Sequence, residues 1–519
     1  MTGRDAGTAD GWRRLDRRTV LVAALVAAGV AGGVCVSLLL GLSGGTWARQ
    51  GPLRGARALL LPAGALLFVL GAAALEHIRW TRTRYRVGPE RAELHTGVLL
   101  VKRRSLARER IRTVDLTANP LLRVLGLVKV RMGTGEHTGA TGSTLELRPV
   151  ARAEGERLRR ELLDRPPAAG GTTRDGELAV LDPRWIRYAP VSFVAPLLGG
   201  AAAGAVMQVS QWFGAQEEVI DWVGARFTGT PVVGIVLTLA ALVLAAGVVG
   251  ALGLWVEMWW NHRLEREPGG TLRVRRGLFT TRSISVEERR LRGVELVEPL
   301  GFRLCGAARV DAIATGLTTA QEDRHTDHKT LLPPAPRPAA ERVAALVLRE
   351  TTAPTGVPLT PHPRAARARR LRWALSAALA PVVVLAVLGA LLTDVLLYAA
   401  GACALVLVPL AVLLALDAYR ALGHATTPRH LVTRSGTVRR ATVALDRGGV
   451  IGWTVRQSYV QRRAGLVTLT ATTAAGAGAY HVRDAGRDEG LTFAAAAVPG
   501  LLEPFLERGP GPGGAPPGE

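Results

Sequence analysis

The chain has 519 residues, 48% of them hydrophobic and only 5% aromatic, with a mean hydropathy of +0.20. That is too apolar for a protein that keeps its whole surface in water, so a membrane protein is expected. The 65 Lys+Arg against 42 Asp+Glu give a net charge of +23, and since only Lys102, Lys129 and Lys329 are lysine, the excess is arginine. Arg-, Ala- and Gly-rich usage suggests a GC-rich bacterial genome. Cys35, Cys305 and Cys403 offer neither a disulfide framework nor a metal-site spacing.

A membrane span needs about 20 apolar residues to cross a core about 30 Å thick. After a basic N-terminus, 1–18, the stretch Thr19–Leu42 carries no charge, and Ala58–Leu75 returns after a short loop, so 19–75 reads as a first hairpin. The first run is longer than the 7–15-residue apolar core usual in a cleaved signal peptide, so it is expected to stay as an anchor. A soluble segment, 77–165, and a linker, 166–187, lead to a second hairpin over 188–256. Its spans are Tyr188–Trp212 and Pro231–Trp255, joined by a loop with Glu217, Glu218 and Asp221. A second soluble segment, 257–350, and a Pro/Arg-rich linker, 351–372, follow. Ala374–Leu416 holds one charge, Asp394. At about 1.5 Å per residue it is twice too long for one helix, so it must fold back near Thr393-Asp394 as a third hairpin, 373–416. The last soluble segment is 417–508, with a disordered tail expected over 509–519.

Arginines near the apolar runs number 19 on one side, from Arg13, Arg14, Arg17 and Arg18 to Arg420 and Arg429, against Arg49, Arg54, Arg57 and Arg226 on the other. The positive-inside rule puts both termini and both long connections in the cytoplasm. Basic charge then lies beside anionic headgroups, where each Arg contributes about 1 kcal/mol. Membrane contact accounts for the charge without nucleic acid.

The three soluble segments have similar lengths, which calls for a self-comparison. With Gly97, Gly277 and Gly436 aligned, each opens a short strand, beginning Val98-Leu99-Leu100 in the first copy. Arginine recurs at Arg123, Arg303 and Arg462, and glycine at Gly126, Gly306 and Gly465, with no gap. Alternation at Val128, Val130 and Met132, and at Leu145 and Leu147, predicts half-buried strands. Leu121–Leu125 is an apolar turn that Gly126 closes, with positive φ expected there and at Gly306. Leu158, Leu162 and Leu163 predict a closing helix over Arg152–Asp164, matched by Ala339–Glu350 and by Glu489–Arg508, bent at Pro499. Each copy thus reads as a small capped barrel.

A hairpin, then "RYRV", then "HTGVLLVKRRSLARERIRTVDLTANPLLRVLGLVKVRM" resembles the bacterial pleckstrin-homology (PH-like) membrane proteins of the YdbS/YdbT type. Their glycine before a strand, basic stretch, "P.L...LG" turn and V.V strand are matched at Gly97, Arg108–Val114, Pro120–Gly126 and Val128–Val130. The second copy keeps the pattern in "RRGLFTTRSISVEERRLRGVELVEPLGFRLCGAARV". The third, "RSGTVRRATVALDRGGVIGWTVRQSYVQRRAGLVTL", lacks the proline and has Trp453 in place of a small aliphatic, so spacing carries it. The resemblance implies an α+β membrane protein with six transmembrane helices in three hairpins, each followed by a cytoplasmic PH-like β-barrel with a C-terminal helix. It also implies that some relatives are linked with antimicrobial-peptide resistance or export, and that such domains assemble with one another.

Fragments that imitate chemistry have plainer readings. Gly41-Leu42-Ser43-Gly44 looks like an intramembrane serine site, but no histidine lies in any later span. His325 and His328, near Glu322, Asp323 and Asp327, read as a solvated loop rather than a metal site. Gly133, Gly135, Gly139 and Gly142 lack the Lys-Ser/Thr of a phosphate loop and read as a hairpin connection. The spans are almost free of ionisable groups, with Glu76, Glu257 and Asp394 at their ends and only Gln208 and Gln211 as amides. The basic strand residues Lys102, Arg103, Arg104, Arg273, Arg275 and Arg276, with Arg434, Arg439 and Arg440 in the third copy, are candidates to face lipid. The expected function is a multi-pass scaffold or accessory protein of the bacterial cytoplasmic membrane, not an enzyme, with no cofactor or metal. Its expected contacts are anionic headgroups and a paired membrane protein or a second copy. The rivals are a transport component and a membrane-associated enzyme.

Overall fold

The computed structural model describes residues 12–43, 54–97, 101–111, 113–133, 144–163, 176–192, 194–315 and 329–505. The features expected at Val98, Leu99, Leu100, Gly135, Gly139, Gly142, Arg49, the His325/His328 loop and 509–519 lie outside them. The chain divides into two compact units, Met1–Glu288 and Arg289–Glu519.

In the first unit β1 (Arg13–Arg14) leads into helix α1 (Arg18–Ser43), and α2 (Arg54–Arg82) follows. Then come β2 (Arg84–Val87), β3 (Arg91–Thr96), β4 (Lys102–Ala107), a 3₁₀ turn at Arg108–Arg110, and β5 (Thr113–Ala118). The short α3 (Pro120–Val124) has Pro120 at its first position, and the Asn119 side chain accepts from the Leu122 N–H at 2.8 Å, which is why this turn starts where it does. β6 (Leu127–Gly133), β7 (Thr144–Ala151) and α4 (Arg152–Leu163) complete the first copy. Its core is the inward set of the alternating strands, Leu94, Leu106, Val114, Leu116, Val130, Met132, Leu145 and Leu147, closed by Leu158 and Leu162 one turn apart on α4. Each fully buried side chain of this size contributes roughly 1.5–3 kcal/mol.

β8 (Gly176–Val180) precedes α5 (Val194–Trp212), α6 (Gln216–Arg226) and α7 (Val232–Trp259). The segment expected as a loop is helical in α6, with Glu217 and Glu218 in the first turn, where the helix dipole favours acids. The third expected span begins at Val194 rather than Tyr188, because Pro183–Tyr188 forms a 3₁₀ stretch. α5 and α7 cross at glycines: a Cβ on Gly199 would lie 2.0 Å from the Val243 carbonyl oxygen, and one on Gly247 2.0 Å from that of Ala195. Such close backbone approach is how small residues drive helix pairing in lipid. β9 (Arg263–Glu267), β10 (Thr271–Arg276) and β11 (Thr281–Glu287) end the unit.

Among the described residues the strands do not close into a barrel. β4 and β5, consecutive in sequence, lie in different antiparallel sheets, β1-β2-β3-β4 and β7-β6-β5-β11-β10-β9-β8. The 3₁₀ turn between them carries the chain from one sheet to the other. The edge of β5 that closure would have used is taken by β11, the third strand of the next copy.

The second unit repeats the order: β12 (Leu291–Pro299), α8 (Leu300–Leu304), β13 (Ala307–Ala314), β14 (Thr330–Pro336) and α9 (Arg337–Leu348). Helices α10 (Arg364–Leu392) and α11 (Asp394–Arg420) break at Thr393, which is extended and whose hydroxyl caps Val395 N–H at 3.4 Å. β15 (Gly423–Thr426), β16 (His430–Ser435), β17 (Arg439–Asp446), β18 (Val450–Arg456), α12 (Tyr459–Arg463), β19 (Leu466–Thr473), β20 (Ala479–Gly486) and α13 (Arg487–Ala497) follow. The sheets are β14-β13-β12-β17-β16-β15 and β18-β19-β20. α13 stops at Ala497 instead of bending at Pro499, because Val498, ahead of the proline, is extended. Val467, Leu469, Ala471, Val482 and Ala485 pack with Phe493 and Ala494 of α13. Among the described residues, five helices are long and apolar enough to cross a membrane, α1, α2, α7, α10 and α11; α5, diluted by glycine, alanine, Gln208 and Gln211, is not one of them.

Candidate functional site

The aligned glycines occupy two kinds of turn. Gly126, Gly306 and Gly465, closing the short helices, have φ of +69°, +66° and +61°. Gly97, Gly277 and Gly436, opening the third strands, have φ of +153°, +111° and +106°. At Gly277 and Gly436 a Cβ would come within 2.0 Å of the carbonyl oxygens of Thr280 and Arg439.

The aligned arginines mark where one copy meets the next. Within the first unit, Arg123 donates to the carbonyl of Leu278, the residue after Gly277. Within the second, Arg303 donates to the carbonyl of Thr437, the residue after Gly436, at 3.5 Å, and to Asp417 at 2.8 Å. Beside each arginine a fourth strand pairs with the third strand of the following copy: Leu116 of β5 opposite Ser283 of β11, and Leu296 of β12 opposite Thr442 of β17. With the glycines aligned these are equivalent positions, so both junctions share one register. Arg462, the third of the set, is exposed and has no such partner among the described residues. The second junction adds Glu298, 2% exposed, which takes Arg440 through both oxygens at 3.0 and 2.8 Å.

Of the basic residues expected to face lipid, Lys102 and Arg103 are exposed on β4 and Arg275 on β10, while Arg104 is half-buried. Arg273 and Arg276 do not face lipid; each is 4% exposed. Arg276 stacks 4.4 Å from the Trp259 ring centroid. Arg273 donates to Glu156 of α4 at 2.7 Å and to Glu267 of β9 at 3.1 Å, and Arg159 of α4 donates to Glu267 at 2.7 and 3.1 Å. Burial raises the Glu156 and Glu267 carboxyls, but the two guanidiniums outweigh it and hold both below the usual carboxylate range. This four-member network ties the closing helix of the first copy onto the extended sheet. Alternation within β10 gave no sign of it, since Glu156 lies 117 residues away.

In the third copy a cavity of about 350 Å³ opens between the base of α10 and the β18-β19-β20 sheet, lined by Arg369, Arg370, Trp373, Arg456, Thr468, Thr470, His481, Arg483 and Asp484. Asp484 is fully buried, with φ of +60°, and accepts from Arg369, from Arg370 at 2.8 Å and from Gln461 at 2.9 Å. His481 bonds Thr470 Oγ1 at 2.9 Å through Nδ1, and burial together with Arg483 and Arg456 pushes its pKa down. Sequence reasoning did not single out Arg456 or Arg483, because three distant segments bring them together. Nearby, His362 Nε2 and His424 Nδ1 lie 3.0 Å apart and buried; burial and His362 lower His424 to about 4. Among the described residues no group of three His, Cys, Asp or Glu could hold a metal.

Apolar helices joined to sheets with a closing helix define a membrane-associated protein of the PH-like class. A family model for the bacterial PH domain matches residues 21–166 and 378–498, more than half of the sequence, and the chain belongs to that family. No curated protein and no solved structure matches it. The matched regions include the third copy, which spacing alone had assigned, and omit the second, whose elements nevertheless follow the same order.

Proposed function

We propose that this protein is a non-catalytic scaffold of the bacterial cytoplasmic membrane, built of three copies of one module, each a two-helix hairpin and a cytoplasmic PH-like domain. The hairpin order and the arginine bias support six spans, with α5 as the third, and both termini inside. Lys102, Arg103 and Arg275 add salt-sensitive attraction to anionic headgroups, about 1 kcal/mol each. The observation that carries the scaffold reading is the junction made twice in one register. It leaves an outer edge of β4 in the first unit, and an outer edge of β18 in the second, without a strand among the described residues.

These two edges suit the addition of a second copy head to tail, β18 against β4. In the register of the internal junctions Val455 comes opposite Arg103 of the second copy, and Arg456 opposite Lys102. That like-charge pair opposes the contact, so association strengthens as salt rises. In a chain with Cys35, Cys305 and Cys403 replaced by serine, cysteines at Arg103 and Val455 should form disulfide-linked dimers in oxidised membranes, and cysteines at Ala107 and Val455 should not. Monomers alone from the first pair would refute strand addition between copies. The link with antimicrobial-peptide resistance or export rests on the family resemblance, and a deletion strain challenged with such peptides tests it.

A further inference from the structure

The cavity at the base of α10 is built for an anion. It brings four guanidiniums together with one carboxylate, and Asp484 is already shared by Arg369, Arg370 and Gln461. Arg456 and Arg483 are exposed and have no acid partner among the described residues. Among the described residues the buried Nε atoms of Arg369 and Arg370 have no acceptor. Thr468 and Thr470 add hydroxyls to the same wall. A guanidinium fork suits phosphate geometry, and each charged hydrogen bond to it is stronger than a neutral one.

Position names the source of the phosphate. Arg369, Arg370 and Trp373 lie on the first turns of α10, and the apolar run begins at the next residue, Ala374. Trp373 is 68% exposed, with Arg369 5.3 Å from its ring centroid, the arrangement of an interfacial aromatic. A phosphate in the cavity therefore sits at headgroup depth, with acyl chains free to lie along α10.

We propose that this cavity binds the phosphate of an anionic phospholipid, with Arg456 and Arg483 as its primary ligands and the Asp484-anchored Arg369 and Arg370 as a preset positive wall. The proposal rests on the membrane reading of α10. It departs from the exposed strand residues Lys102 and Arg103, whose attraction is diffuse.

The test uses the full chain reconstituted in phosphatidylcholine bilayers containing phosphatidylglycerol, then released in mild detergent for native mass spectrometry. Wild type and a Lys102→Gln/Arg103→Gln variant should retain one phosphatidylglycerol per chain, and an Arg456→Gln/Arg483→Gln variant should lose it, with at least tenfold lower occupancy. Both altered arginines are exposed, so the variant is expected to fold, which its melting curve checks. Equal retention in all three proteins, or equal loss in both variants, would overturn a built site. Displacement of the lipid by millimolar inorganic phosphate would assign the cavity to a soluble anion instead. Release of the wild-type chain from native membranes by alkaline carbonate would overturn the membrane reading itself, separately from the cavity.

Discussion

Replacing Arg440 by alanine should destabilise the second junction far more than replacing its neighbour Arg439. Glu298 is 2% exposed and holds Arg440 through two bonds of 3.0 and 2.8 Å, whereas Arg439 is 51% exposed on its 2.8 Å bond to Glu295. Removing one partner of a buried pair strands the other charge, at about 3–5 kcal/mol, while an exposed pair contributes about 0–1 kcal/mol. Arg337 Nη1, 3.7 Å from Glu298, offsets part of the loss and moves the expectation to the low end, about 3 kcal/mol. In a unit of this size that is a fall in Tm of roughly 6–12 °C for Arg440→Ala, against about 4 °C or less for Arg439→Ala. Tryptophan fluorescence of the full chain in detergent during heating reads both. Substituting Glu298 and Arg440 together by leucine should recover most of the loss, because no buried charge remains. A double variant as weak as Arg440→Ala, or equal shifts for the two single variants, would refute the argument.

His424 has a folded pKa of about 4 against 6.5 in the open chain, so the fold prefers its neutral form. The stability this gives is whole above pH 6.5 and lost as pH falls from there through about 4, about 3 kcal/mol in all, and His424→Phe should make that slope shallower in a pH series of melts, leaving the share of His362, His430 and His481, which burial also lowers. Gly465→Ala should cost about 1–2 kcal/mol, since φ is +61° but the space is open. Gly436→Ala should cost clearly more, because its Cβ would also overlap the Arg439 carbonyl, and equal losses in the same melt would contradict that ranking. A cysteine at Gly214 should react with a membrane-impermeant label in intact cells while cysteines at Ser105 and Ser283 stay protected; labelling at Ser105 would overturn the orientation.

What was legible in the sequence was local or periodic. Charge-free runs mark the helices, and a helix too long for one crossing announces the break at Thr393. The spacing of Gly97, Arg123 and Gly126 and their counterparts finds the strands and turns. What the spacing could not show is that Arg123 serves the following copy, since the carbonyl it bonds lies at Leu278. Arg273 and Arg276 were read as outward because their strand is basic, but burial depends on Glu156, Glu267 and Trp259, contributed by other elements. The cavity joins three segments, each ordinary alone. Non-local pairing is set by topology, and a periodicity measured along one strand does not contain it.

Sharing a sheet between copies also sets an order of events during synthesis. β5 leaves the ribosome roughly 160 residues before β11, its neighbour in the finished sheet. At about 5–20 residues per second its edge waits roughly 8–32 s, while α5, α6 and α7 are still being made. The first copy thus spends its early life with a bare strand in a crowded cell. Chaperone demand should fall in that window, and a slow passage from β5 to β11 should be the step at which newly made chains aggregate.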